Sequence, residues 1–90
     1  MARYFFDIHD GNAFFRDPEG TECSGKEDVR IEAMRSLPEI ARQFIPSRSA
    51  DAQAFTVLVR DETGTMIYTA TLTFAGLWMN EANSTDPSTS

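Results

Sequence analysis

His9 is the sole histidine of this 90-residue chain, and Asp7 stands two positions before it. In an extended segment that spacing puts both side chains on one face, where a carboxylate can orient an imidazole for general acid–base work. Such chemistry also needs a nucleophile or a substrate pocket within hydrogen-bond reach, and no Ser or Cys motif accompanies the pair. The expectation is therefore an exposed histidine beside a turn, with no catalytic residue. Asp7, Asp10 and Asn12 around Gly11 have the residue types of a calcium loop but lack the alternating ligands and terminal bidentate Glu of an EF-hand. Turn capping accounts for these acids, so no metal site and no cofactor is expected. Cys23 lies just before a helix start with Lys26 nearby, a setting that can lower a thiol pKa. A small packed residue is the plainer reading.

Two surfaces offer recognition instead. One is an open sheet face carrying Arg3, Phe5, His9, Leu58 and Arg60 beside a row of threonines, on which a small ligand or a single-stranded nucleic acid can stack. Fourteen acidic against eight basic side chains give a formal charge of −6, which opposes a phosphate backbone or an anionic membrane and favours a basic protein partner. The other surface is a helix flank. Ile31, Met34, Pro38 and Ile45 form a second apolar stripe that widens the apolar arc to roughly 200°, where about 100° suffices for a surface helix. Its cover is either the chain's own Leu77-Trp78-Met79 or a second subunit or other protein, with a homodimer the simplest case. Exposed edge strands supply another route to association, by strand addition.

The elements that must position these groups are legible from turn chemistry and periodicity. Strand-forming runs interrupted by Asp10-Gly11-Asn12 and by Asp61-Glu62-Thr63-Gly64 read as two hairpins on either side of one helix-patterned segment. In the first strand Tyr4, Phe6 and Ile8 form the core face, with Phe5, Asp7 and His9 opposite. Asp17-Pro18-Glu19-Gly20 is a further turn, followed by a short extended piece through Cys23. Ser24 with Glu27 has the capping-box form. Val29, Ala33, Leu37, Ile40, Ala41 and Phe44 share one helical stripe. Pro38 predicts a kink or a restart of the helix, and a polar connector is expected from Pro46 to Asp51. Phe55, Val57 and Val59 alternate in the next strand. Tyr68, Ala70, Leu72 and Phe74 face the helix in the last one, leaving Thr69, Thr71 and Thr73 outside.

Length allows one domain, with ten aromatic residues to fill its core. It is placed at residues 1–79, with a disordered polar tail at 80–90. A single cysteine cannot form an internal disulfide, and a reducing cytoplasm is the expected compartment. The start of the chain has neither the layout of a signal peptide nor an apolar run of about 20 residues.

Arg3-Tyr4-Phe5-Phe6-Asp7-Ile8, Asp10-Gly11, Asp17, Glu19-Gly20-Thr21-Glu22, the Ala33 and Leu37 helix positions and Val59-Arg60-Asp61-Glu62 with Gly64 resemble a family of short uncharacterised bacterial proteins, a domain of unknown function. The resemblance spans most of residues 3–75. It implies a fold and brings no activity, catalytic residue or ligand. Cys23 stands where a larger aliphatic residue is expected. A looser similarity runs to HicB-type antitoxins, with Tyr4-Phe5-Phe6-Asp7-Ile8 and Asp28-Val29-Arg30-Ile31-Glu32-Ala33 in comparable places. That similarity implies neutralisation of a basic ribonuclease.

The sequence thus predicts an α+β domain, ββαββ in order, with an antiparallel sheet of about four strands and one helix across a face. Its expected role is a non-enzymatic interaction or regulatory module. The alternative is a binder using the open sheet face at Phe5, His9, Leu58 and Arg60.

Overall fold

Alternation of apolar and polar residues on both sides of each hairpin turn builds one antiparallel sheet. A computed structural model describes residues 1–80. The strands are β1 (Ala2–His9), β2 (Phe14–Phe15), β3 (Thr21–Cys23), β4 (Ala52–Arg60) and β5 (Met66–Ala75), and the helix α1 spans Lys26–Arg48 between β3 and β4. The sheet runs in the order β2-β1-β4-β5, with β3 also paired to β1. It has five strands where about four are expected. The extra one is the short piece before the helix, which turns back along β1 with Ala2 opposite Cys23 and Tyr4 opposite Thr21. The residues expected in a tail from Asn80 onward lie, from 81, outside the described residues.

The core follows the predicted faces. Phe55, Val57 and Val59 of β4 are buried against Val29, Ala33, Leu37 and Ala41 of α1, with Tyr4, Phe6, Ile8, Tyr68, Ala70 and Leu72 packed around them. Phe74, expected under the helix, is 40 % exposed, at the end of β5 where it pairs with Gln53 near the start of β4. Both hairpins close as their turn residues require. Asp10 Oδ1 accepts the N–H groups of Asn12 and Ala13, and Asp61 Oδ1 accepts those of Thr63 and Thr65.

Three details of the helix differ from the expectation. It is continuous through Pro38 and extends through Pro46 to Arg48, so the connector shrinks to the few residues before Ala52. Pro38 cannot donate to the carbonyl four residues back, at Met34, nor Pro46 to that of Arg42. The burial of residues before and after Pro38 on one face holds the helix together despite those missing bonds. The expected capping box does not form: the N-cap is Gly25, which no side-chain hydrogen bond caps, and Asp28, rather than Glu27, reaches back to the Ser24 N–H at 3.0 Å and also takes its hydroxyl. Those two hydrogen bonds hold the Asp28 carboxyl below its usual range.

Candidate functional site

The outer face of the sheet carries Asp7, and this acid is fully buried. Asp7 is 0 % exposed. Its Oδ2 accepts Arg60 Nε at 2.8 Å and its Oδ1 accepts the Asp17 N–H at 2.8 Å. Arg60 Nη2 also donates to the Asp17 carbonyl at 3.1 Å, and its guanidinium carbon sits 4.4 Å from the centre of the Phe5 ring. Asp7 and Arg60 lie 53 residues apart in the chain. The antiparallel pairing of β1 with β4 brings them together, since Phe5 faces Arg60 and Asp7 faces Leu58.

Asp17 completes the cluster from an arch that covers the middle of β1. Its Oδ2 accepts the Phe6 N–H at 3.1 Å, and its Oδ1 accepts the N–H groups of Glu19 and Gly20. Burial alone pushes this carboxyl upward. The Gly20, Phe6 and Glu19 N–H groups and the Arg60 charge outweigh burial, so its pKa falls below the ordinary value. Gly20 has φ +78, and a Cβ there would lie 2.8 Å from Arg3 Cγ and 2.9 Å from Phe5 Cε2. Arg3 clamps the far side of the arch through the Glu19 carbonyl and the Glu22 carboxylate, each at 2.8 Å.

The catalytic constellation is not assembled. His9 is exposed, its Nδ1 accepts the Gly11 N–H at 3.2 Å, and the Asp7 oxygens are engaged by Arg60 and Asp17 rather than by the imidazole. Asp10 is committed to its turn and to Arg48, which it meets at 2.7 Å. The Ala13 and Asn12 N–H groups and that guanidinium hold its pKa at about 2. Cys23 is buried, and burial together with Asp28, Glu32 and Glu22 raises its thiol pKa. The nearby Lys26 does not produce the lowering that its position suggested. On the alternative sheet-face site, Phe5 and Arg60 already cover one another, Leu58 pairs with Thr69 of the threonine row, and Thr56 and Thr71 join hydroxyls at 2.8 Å.

Apolar surface concentrates elsewhere. Ile31 and Met34 are exposed, as are Leu77, Trp78 and Met79. Trp78 is 71 % exposed, so the segment expected to fold back over the helix flank does not cover it. Ile45, in contrast, packs against the core. Met34 and Pro38 form one wall of a cleft whose floor is Tyr68, Ala70 and Leu72 of β5. Beyond that floor β5 is the end of the sheet. It pairs with β4 on one side, and among the described residues no strand pairs its other side. A second cleft, which the sequence reading missed, lies on the opposite flank between Phe15, Ile40, Phe44 and Phe55. Arg48 stacks over Phe44 and Phe55 at its end.

These features define a small α+β domain in which the polar constellation braces the fold and the exposed apolar surface lies on the helix flanks, on β2, and on the last strand and the residues that follow it. The chain belongs to the family described as Domain of unknown function (DUF6894), whose model matches residues 3–73. Neither the curated proteins nor the solved structures contain a match to it. Within the matched span stand Arg3, Phe5, Asp7, Asp17, Gly20 and Arg60, every one a member of the brace. Among the described residues no helix is long and apolar enough to cross a membrane.

Proposed function

We propose that this protein is a non-enzymatic protein-interaction or regulatory module that acts as a homodimer. The observation that carries the reading is the continuous apolar side formed by Met34 and Pro38 of α1 with Tyr68, Ala70 and Leu72 of β5, bordered by the edge of β5 that no strand pairs among the described residues. Apolar surface of this kind, beside strand groups without partners, is the signature of an association surface. The absence of a catalytic role is supported by the engagement of the chemically capable groups. Asp7 is held by Arg60, and Cys23 is buried with a raised pKa. The charge of −6 favours, as the more specific version, an antitoxin-like pairing with a basic protein.

Light scattering on the purified full chain tests the reading. A dimer is expected, and Met34→Glu, which places a charge in the seam at an exposed position, is expected to shift it to monomer with an unchanged circular dichroism spectrum. A Met34→Glu protein that assembles like the parent would remove the helix flank from the interface.

A further inference from the structure

We infer that the partner is a second copy of this chain, joined edge to edge by antiparallel pairing of β5 with its symmetry mate across a two-fold axis at Thr71. The inference rests on the interaction-module reading above and specifies its geometry. β5 is ten residues long and contains no charged residue and no proline, the two devices that ordinarily blunt an edge strand. The other side of the sheet is treated differently. There β1 is capped by the short strands β2 and β3 and, between them, by the Asp17 arch.

A second copy is favoured by the strand's own pattern. From Tyr68 onward the inward row is Tyr68, Ala70, Leu72 and Phe74, and the outward row is Thr69, Thr71 and Thr73, because successive side chains alternate. Antiparallel pairing of the strand with itself sets apolar row against apolar row and threonine row against threonine row, with no like charges opposed. A bulge in the pairing with β4 marks one end of the regular strand. Val59 pairs with Tyr68 but Arg60 pairs with Met66, so Ile67 is the extra residue, and regular strand begins at Tyr68. The pairing that uses all of residues 68–74 is centred on Thr71, and sets Tyr68 against the partner's Phe74 and Ala70 against the partner's Leu72.

The same operation accounts for the helix flank. A two-fold axis perpendicular to the sheet keeps both helices on one face, so the clefts walled by Met34 and Pro38 meet across the seam and close over a shared apolar floor. One continuous ten-stranded sheet results, five strands from each copy.

The test exploits a property unique to a residue on a two-fold axis, which meets itself. Light scattering on the full chain is expected to give a dimer. Thr71→Lys and Thr71→Glu are each expected to give monomers, and an equimolar mixture of the two is expected to restore the dimer. Thr71→Cys is a nearly isosteric variant that does not depend on the charged ones folding. It is expected to cross-link to itself under mild oxidation, because facing Cα atoms in an antiparallel pair lie about 4.5–5.5 Å apart, within disulfide reach. The native Cys23 is buried and does not compete. A dimer that persists in Thr71→Lys, or fails to cross-link through Thr71→Cys, yet dissociates with Met34→Glu, overturns the strand pairing and leaves the interaction-module reading standing. A parent chain that remains monomeric overturns the strand pairing and the homodimer together, and leaves only the pairing with a basic protein.

Discussion

Asp7 and Arg60 show how one residue's role changes when its partner comes into view. Strand alternation put Asp7 on the outer face with His9, and that much is correct. What alternation does not show is that the arch from Asp17 to Gly20 and the Arg60 side chain, itself only 11 % exposed, would roof the carboxylate over completely. A buried carboxylate is tolerated when paired and hydrogen-bonded, and the loss of one member leaves the other charge uncompensated. Asp7→Ala is accordingly expected to lower unfolding free energy by about 3–5 kcal/mol, against under about 1 kcal/mol for Glu39→Ala, whose exposed pair with Arg42 is screened by water. Urea denaturation of the two variants beside the parent checks the contrast. Equal, small losses would mean that Asp7 is not part of a brace. Little of this cluster was legible in sequence, because its three charged members come from three separate segments. The available signal was an Asp amid Phe residues in a strand and an Arg ending another apolar strand.

Elements were far more legible than contacts. The faces of β1, β4 and β5 and the buried stripe of α1 follow from periods of 2 and 3.6, since each period repeats over several residues and every repeat votes for the same face. Short or single-residue signals misled. Two prolines suggested breaks, yet the stripe Val29, Ala33, Leu37 and Ala41 is buried across Pro38, so packing outweighs the lost backbone bonds. β3 is three residues long, too short for alternation to announce, and exists because the turn before it folds back tightly. That turn carries its own prediction. Gly20 and Gly64 both have positive φ, but a Cβ at Gly64 meets nothing within 4 Å, whereas one at Gly20 meets Arg3 and Phe5 below 3.0 Å. Gly64→Ala is expected to cost only the left-handed backbone term, about 1–2 kcal/mol. Gly20→Ala should cost more, through displacement of the Phe5 ring that underlies Arg60. Thermal melts of the two variants distinguish them, and a Gly20→Ala protein as stable as Gly64→Ala would show that the arch is not tightly seated.

At the scale of the whole molecule, net charge separates the two kinds of partner. Two copies at −6 each repel, and the repulsion is screened as the Debye length shortens with salt. Self-association is therefore expected to tighten between about 20 mM and 200 mM salt, a range over which the Debye length falls about threefold. Binding to a basic protein would weaken over the same range, because the attraction that steers it is screened instead. A dilution series by light scattering at the two salt concentrations reads the sign directly. Dimer dissociation that becomes easier at higher salt would contradict an apolar, uncharged seam.

The capping of β1 carries one more consequence. A polymer chemist would describe each copy as monofunctional. Because β2, β3 and the Asp17 arch cover the outer side of β1, that side ends in strands of two and three residues against ten in β5, and the proposed pairing gives each copy a single long reactive end. When two such units join they consume both ends, and growth terminates at a stoichiometry of two. A sheet open on both sides would have been bifunctional, and the same uncharged strand would then have propagated into a fibre.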